Sequence, residues 1–223
     1  MLYIVSTPIG NLEDITLRAL RTLKEVDYIA AEDTRHVQKL LQKYEIKTKT
    51  LSYHSHSSGH KIDHIGALLM EGKNIAVVSD AGTPGISDPA YGLIQKAIEL
   101  GITICPIPGA SSLLAAIVIS GQPMNQFLYL GFLPLKKGRQ TLLKQLATEK
   151  RTIVIFESPH RILKTLQQLA EYLGPDRPVS ACRELTKIHE EAFRGTVSEA
   201  STYFQKKGVK GEFVLVVGPH SRD

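Results

Sequence analysis

Residues 75–89 read IAVVSDAGTPGISDP, an apolar run that leads directly into a loop rich in glycine and proline. The run has the length and composition of a buried strand. Gly82 and Gly85 permit backbone conformations that are closed to other residues, and Pro84 fixes one dihedral angle between them. A loop constrained in this way at the end of a buried strand is typical of ligand binding. The stretch therefore predicts an α/β sheet with a binding loop at its edge.

Strands and helices alternate on both sides of this stretch. The predicted strands of the first half lie at 2–6, 26–33, 48–54, 74–80 and 102–109. Amphipathic segments separate them, and Gly72 and Gly101 stand where helices are expected to end. Apolar strands that alternate with helices predict a parallel sheet covered on both faces.

The pattern changes after Gly121. Predicted strands at 152–158, 178–184 and 212–218 mix with an apolar segment at 127–134, helices at 137–150, 159–174 and 198–207, and a polar segment at 190–197. Hairpin-like and crossover connections occur together here, which predicts a mixed sheet. We therefore expect an α/β protein of two domains, a parallel-sheet domain at 1–121 and a mixed-sheet domain at 122–223.

Composition narrows the class of protein. The chain has 223 residues, 43% of them hydrophobic, and 27 basic against 22 acidic residues. This mild positive charge is compatible with a polyanionic partner but does not select one. Two cysteines form no disulfide framework, and the first residues lack the apolar stretch of a signal peptide. The longest apolar run, Leu113–Ile119, is too short to span a membrane. We expect a cytoplasmic protein.

Five specialised loops follow the predicted strands of the first half. They read STPIGN (6–11), AEDTR (31–35), SYHSHSS (52–58), SDAGTPG (79–85) and PIPGASS (106–112). The carboxyl edge of an open α/β sheet is where ligands bind, so we expect a site there. None of the loops matches the dinucleotide pattern G-x-G-x-x-G or the phosphate-binding pattern G-x-x-x-x-G-K-[ST]. That argues against a dehydrogenase and against an NTPase.

Ordinary structural roles compete with ligand binding in these loops. Asp80 could bond its own backbone, as Asp before a glycine turn often does, and Asp33 could simply start a helix. Ser111 and Ser112 could cap the apolar helix that follows them, or present its free N–H groups to a carboxylate. The histidines at 54, 56 and 60 match no zinc spacing, so we expect no metal site.

Charged motifs also follow two strands of the second half, namely ESPHR at 157–161 and RELTKIHEE at 183–191. Solvated charged turns would explain both. Basic side chains in and near these motifs could instead contact phosphates. The candidates are Lys136, Lys137, Arg139, Arg161, Arg183 and Lys187, together with His54 of the first half.

Taken together the motifs resemble a known family. STPIGNLEDIT, AAEDTR, VSDAGTPGISDP, PGASS, LGFLP, ESPHR, RELTK and GEFVLVVGP occur in this order along nearly the whole chain. The chain resembles the bacterial 2′-O-methyltransferases of small-subunit ribosomal RNA, within the tetrapyrrole methylase superfamily. The resemblance implies a homodimer that binds S-adenosyl-L-methionine in a trough between its two domains. The implied substrate is a cytidine ribose in the decoding region of 16S rRNA, either free or in the assembled small ribosomal subunit.

The resemblance also implies roles for individual residues. The implied cofactor-binding residues are Pro8, Asp80, Gly82, Thr83, Ser111, Ser112 and Phe156. A ribose hydroxyl is a weak acid, so its attack needs a proton acceptor. The candidate acceptors are Asp33, Glu157, Glu184 and His54. Asp33 ranks first because it ends a strand on the cofactor edge, and Arg35 would then bind phosphate or orient that carboxylate.

Two other readings stay open at this point. A methyltransferase for a tetrapyrrole or another small molecule would need an apolar trough with arginines, whereas this chain offers lysine-rich segments. A non-enzymatic RNA-binding protein would not need five specialised loops on one sheet edge.

Overall fold

The computed structural model describes residues 1–53, 59–88 and 90–219. The chain divides into two compact units, Met1–Ser111 and Ser112–Asp223. The predicted boundary lay after residue 121. The difference is the helix at Ser112–Ser120, which packs on the sheet of the second unit and therefore belongs to it.

The first unit is a five-stranded parallel sheet with helices between its strands. Its elements are β1 (Leu2–Val5), α1 (Leu17–Glu25), β2 (Tyr28–Ala31), α2 (Thr34–Lys43), β3 (Lys49–Ser52), α3 (Gly59–Met70), β4 (Ile75–Val78), α4 (Tyr91–Glu99) and β5 (Ile104–Ile107), with a 3₁₀ turn at Leu12–Asp14. The strand order is β3-β2-β4-β1-β5, and every neighbouring pair is parallel. The predicted parallel sheet is confirmed.

Both faces of this sheet are buried. On β4, Ala76 and Val78 pack in one core with α1 and α2, while Ile75 and Val77 pack in the other with α3 and α4. Full burial of a valine or isoleucine side chain stabilises a fold by roughly 1.5–3 kcal/mol. With both faces covered, only the ends of the strands are left for function.

The strand order creates a crevice between the carboxyl ends of β2 and β4. The chain leaves β2 toward β3 on one side, and it leaves β4 toward β5 on the other side. The connections that follow two neighbouring strands thus run in opposite directions, which is the topological switch point where open α/β sheets bind ligands.

The second unit is a mixed sheet. Its elements are α5 (Ser112–Ser120), β6 (Phe127–Phe132), α6 (Arg139–Leu146), β7 (Thr152–Glu157), α7 (Ile162–Leu173), β8 (Pro178–Arg183), β9 (Glu191–Thr196), α8 (Val197–Lys207) and β10 (Phe213–Val217). The order is β6-β7-β10-β8-β9, with β6 and β7 parallel and the other pairs antiparallel. The predicted mixed sheet is confirmed.

The polar segment at 190–197 contains β9, a strand that its sequence did not indicate. This strand is at the edge of the sheet and is only half-buried, so charged residues are tolerated on it. Among the helices that the structure describes, none is both long enough and apolar enough to cross a membrane.

Candidate functional site

The loops that follow β1 and β4 are joined through their backbones. The N–H of Thr7 donates to the carbonyl of Gly82 at 2.9 Å, and the N–H of Gly82 donates back to the carbonyl of Thr7 at 3.0 Å. The Thr7 hydroxyl also donates to the carbonyl of Ser79 at 3.2 Å. Pro8 follows this bridge and is buried. Gly82 holds a φ of 83°, in the left-handed region where a side chain is strained.

The loop after β5 joins the same cluster. The hydroxyls of Ser6 and Thr83 lie 2.9 Å apart, and the Thr83 hydroxyl lies 3.3 Å from the carbonyl of Ala110. Gly109 lies so close to the first loop that a methyl group on it would stand 2.9 Å from Cβ of Ser6. The loops at 6–11, 79–85 and 106–112 therefore meet at one edge of the sheet, as their positions after the strands predicted.

The loop after β2 reaches this edge at the switch point. The N–H of Asp33 donates to Oδ1 of Asp80 at 3.1 Å. Asp80 thus accepts a hydrogen bond from a neighbouring strand end, so its role is more than the local backbone bond that an Asp-Gly turn would explain.

Asp33 itself is tied to Arg35. Its Oδ1 accepts from the N–H of Arg35 at 2.9 Å and from Nε at 3.1 Å, and its Oδ2 accepts from Nη2 at 2.8 Å. Hydrogen bonds from the side chain and the backbone of Arg35 hold the pKa of Asp33 well below its usual range. A carboxylate stabilised in this way is a weak proton acceptor, so the geometry argues against the predicted role of Asp33 as the general base.

Asp33→Asn tests this point. We expect methyl transfer to slow by less than about threefold, against the loss of about 100-fold or more that removal of a general base causes. Asparagine also starts helices well, so α2 should persist. Single-turnover rates across a pH series provide the measurement. A loss of about 100-fold together with a changed pH profile would restore Asp33 as the base.

Asp88 is the residue that the sequence analysis missed. It is the second-to-last residue of the stretch at 75–89, and the left-handed residues Gly85 (φ 90°) and Ser87 (φ 67°) precede it in the turn. Burial raises its pKa to about 6, with smaller contributions from the charges of Glu32 and Asp80, while a hydrogen bond with the Ser79 side chain opposes the rise. A raised pKa makes Asp88 a stronger proton acceptor than an ordinary aspartate.

Glu157 and Arg139 belong to the interior of the second unit. Glu157 is 1% exposed and Arg139 is 5% exposed. The Thr165 hydroxyl donates to Oε2 of Glu157 at 2.6 Å, and it accepts from Nη2 of Arg139 at 2.7 Å. Arg139 also donates to Oε1 of Gln168 at 2.8 Å. Such buried groups cannot reach a substrate, so we remove Glu157 as a proton acceptor and Arg139 as a phosphate contact.

Arg139→Gln is expected to destabilise the protein by about 3 kcal/mol, because the buried Thr165 hydroxyl and the partly buried acceptors of Gln168 and Pro134 lose their donor. The salt dependence of RNA binding should not change. The matched control is the double variant Lys136→Gln and Lys137→Gln, since both lysines are exposed. That control should keep its stability within about 0.5 kcal/mol. Thermal unfolding measures the stability of both variants, and titration of small-subunit rRNA at several salt concentrations measures the salt slope of binding. A lower salt slope for Arg139→Gln alone would show that Arg139 contacts phosphate after all.

Three of the predicted cofactor-binding residues, Phe156, Ser111 and Ser112, are partly accessible. Phe156 is half-buried, with edge-to-face contacts to Tyr129 and Phe132 at centroid distances of 5.2 Å and 5.8 Å. Ser112 opens α5, and Ser111 precedes it as the last residue of the first unit. Their predicted roles toward a cofactor stay predictions.

The predicted phosphate contacts of this unit mostly have protein partners. Arg161 pairs with Glu157 at 3.4 Å, Arg183 with Glu191 at 3.3 Å, and Lys187 with Glu184 at 2.8 Å. Burial would raise the pKa of Glu184, but hydrogen bonds from Lys187 and from the backbone of Glu212 lower it overall, which makes Glu184 a weak proton acceptor.

His54 lies outside the described residues, so its predicted role stays untested. Within 1–53, 59–88 and 90–219, no three His, Cys, Asp or Glu side chains are grouped as metal ligands would be. That observation does not extend to the histidines at 54 and 56.

Known proteins resemble this chain along nearly all of its length. Residues 1–201 match the family model of the Tetrapyrrole (Corrin/Porphyrin) Methylases. The chain is 52% identical to the Ribosomal RNA small subunit methyltransferase I of Thermotoga maritima, over 97% of both chains. It is 51% identical to the protein of the same name from Synechocystis, over 97% of this chain and 78% of that one.

Solved structures agree on the fold. The methyltransferase CobJ aligns with a TM-score of 0.73 at 20% identity, over 100% of this chain and 95% of that one. Uroporphyrin-III-C-methyltransferase from Thermus thermophilus aligns with a TM-score of 0.68 at 20% identity, over 97% and 93% of the two chains. The predicted resemblance and fold class are confirmed. The chain belongs to the Tetrapyrrole (Corrin/Porphyrin) Methylases, and within them it is a methyltransferase related to the proteins named Ribosomal RNA small subunit methyltransferase I.

Proposed function

We propose that this chain transfers the methyl group of S-adenosyl-L-methionine to the ribose 2′-oxygen of a cytidine in the decoding region of small-subunit rRNA. The observation that carries the proposal is the near-full-length identity of about half to relatives named as ribosomal RNA small subunit methyltransferases. Those alignments cover 97% of this chain, whereas the solved corrin and porphyrin methylases, at 20% identity, show only the fold.

The chemistry of the first-unit edge fits this cofactor. Glu32, Asp33, Asp80 and Asp88 bring four carboxylates to the loops after β2 and β4, where Arg35 is paired with Asp33. Such an edge favours a ligand with positive charge. S-adenosyl-L-methionine carries a sulfonium and an ammonium and has no phosphate, so the residues present suit it.

We assign the grip on the cofactor to the joined loops. The Asp80 carboxylate would accept hydrogen bonds from its polar groups, and the backbone at Gly82 and Thr83 would lie against it, because a glycine leaves the backbone open to close approach. Pro8 holds the first loop in place. Ser111 and Ser112 stand at the start of α5, where free N–H groups favour a carboxylate. Phe156 would take the adenine side.

Asp88 is our proposed proton acceptor for the ribose hydroxyl. S-adenosyl-L-methionine supplies an electrophilic methyl group whose leaving group is already present. The protein must then align the nucleophile and accept its proton, and alignment can contribute up to about 7–11 kcal/mol. A carboxylate whose pKa is raised to about 6 is ionised at neutral pH and is more basic than an ordinary aspartate.

RNA binding is assigned to the exposed or partly exposed basic residues. They are Lys136, Lys137, Arg161, Arg183 and Lys187. His54 lies outside the described residues, and its contact with RNA stays a prediction. Such contacts to phosphates make binding weaken steeply with salt. The homodimer that the family resemblance implies, and action in the cytoplasm where small subunits are assembled, belong to the same proposal. Sedimentation analysis of the purified chain tests the dimer.

Mass spectrometry of rRNA nucleosides tests the function in cells. A strain that lacks the gene for this chain should lose one 2′-O-methylcytidine from its small-subunit rRNA and regain it on complementation. Unchanged rRNA together with an altered tetrapyrrole pool would instead favour a small-molecule methyltransferase. Binding to rRNA without any methylation would favour a non-enzymatic role.

A further inference from the structure

A basic groove lies at the amino ends of the strands of the first sheet. The loops at 6–11, 79–85 and 106–112 lie at the opposite, carboxyl ends. The groove has a volume of about 620 Å³. Its walls come from the end of α1 and the start of β2, from residues 45–49 at the start of β3, and from Lys73, two residues before β4. These segments enter the strands, whereas the loops of the candidate site leave them. The groove is therefore separate from that site.

The charge of the groove is mainly positive. Four lysines line it, namely Lys24, Lys47, Lys49 and Lys73, against the two carboxylates of Asp27 and Glu45. Lys73 pairs with Asp27 at 3.7 Å. A backbone hydrogen bond from Asn74, with help from Lys73, lowers the pKa of Asp27. One carboxylate is thus already neutralised by a lysine of its own groove.

Three lysines are left to act on a partner. Lys24, Lys47 and Lys49 are exposed, and within the described residues none of them forms an ion pair. The Glu45 carboxylate offsets one of these three charges, so the groove keeps a net positive charge that favours an anionic ligand. Lysines act as point charges on flexible stems, which suits phosphates of a backbone more than a single shaped anion.

We propose that this groove binds the phosphate backbone of small-subunit rRNA at a distance from the methylated nucleotide. This inference rests on the proposed function. Phosphate contacts position a nucleic acid without reading its sequence. A second contact on the far edge of the sheet would add affinity through an intramolecular binding event, with no new contact at the methylation site.

The test is a triple variant, Lys24→Gln, Lys47→Gln and Lys49→Gln, which removes charge but keeps the side-chain length. The matched control changes three exposed lysines of the second unit to glutamine, namely Lys144, Lys164 and Lys206. Affinity for protein-free small-subunit rRNA is measured at several salt concentrations. We expect the groove variant to bind at least about tenfold more weakly at roughly 0.1 M salt, with a salt slope smaller by about 2. Cofactor affinity and the single-turnover rate at saturating RNA should match the wild type.

The outcomes separate the groove from the proposed function. If the groove variant binds like the control, the groove proposal is wrong even though the wild type still methylates rRNA. If affinity falls only for assembled subunits and not for protein-free rRNA, the partner is a ribosomal protein, and the RNA assignment is overturned. If the wild type neither binds nor methylates rRNA, the proposed function itself has failed.

Discussion

Gly82→Ala is expected to lower kcat/KM for methyl transfer and the affinity for S-adenosyl-L-methionine by about 100-fold. Gly82 forms the backbone bridge to Thr7 while holding a φ of 83°. An alanine there is strained by about 1–2 kcal/mol, and its Cβ would lie 3.3 Å from Cγ2 of Ile9. Relief of both effects must move the loop, and a displacement of about 1 Å in a positioning group can cost about 100-fold in rate. Calorimetry with the cofactor and steady-state kinetics provide the measurement.

Gly72→Ala is the matched control, because Gly72 also has a φ of 83° but has no atom within 4 Å of its would-be Cβ. Both variants should lose similar stability in thermal unfolding. Only Gly82→Ala should lose cofactor binding. If both variants bind S-adenosyl-L-methionine like the wild type, the joined loops are not the cofactor grip.

Asp88→Asn is expected to lower kcat by about 100-fold or more, which is the usual contribution of a general base. In the wild type the rate should rise with pH through about 6, where Asp88 ionises, and then level off. The variant has no carboxylate to ionise at this position, so its residual rate should lack that limb. Single-turnover rates measured across a pH series test this assignment. A variant that keeps both the wild-type rate and the rise through pH 6 would exclude Asp88 as the general base.

The same variant should be more stable than the wild type at neutral pH. The folded-state pKa of Asp88 is raised from 3.8 to about 6, so the folded protein holds this proton more tightly than the unfolded chain does. The resulting stability is complete below the unfolded pKa and is lost as pH rises through about 6. Asparagine avoids that loss, and after allowance for solvent screening we expect a gain of about 1 kcal/mol. No gain at neutral pH would contradict the half-buried, charge-crowded environment of Asp88.

Most of the fold could be predicted from local sequence patterns. The apolar run at 75–78 reads as a strand buried on both faces, and the structure places alternate residues of β4 in two separate cores. Five loops after strands predicted one functional edge, because parallel strands end on the same side. The sequence did not predict β9, because an edge strand tolerates charged residues that are otherwise typical of a loop.

The candidate site was harder to predict, since burial and long-range contacts decide it. ESPHR and the 136–139 segment look like charged surface, yet Glu157 and Arg139 meet through Thr165 inside the second unit. Asp33 stood at the right strand end, but the bonds from Arg35 that lower its pKa depend on side-chain geometry. The sequence shows Asp88 only as part of an Asp-Pro pair. Its raised pKa comes from burial and from the charges of Glu32 and Asp80, and the folded structure alone brings these close to it.

Reconstituted methyl transfer is the direct test of whether this protein methylates a cytidine ribose in small-subunit rRNA. Purified protein is incubated with S-adenosyl-L-methionine carrying a labelled methyl group and with small subunits, or their protein-free rRNA, from a strain that lacks this gene. The rRNA is then digested, and its nucleosides are separated and identified. We expect label in a single nucleoside, 2′-O-methylcytidine, at an initial rate about 100-fold lower with Gly82→Ala. Unlabelled rRNA, or label on a base instead of a ribose oxygen, would contradict it.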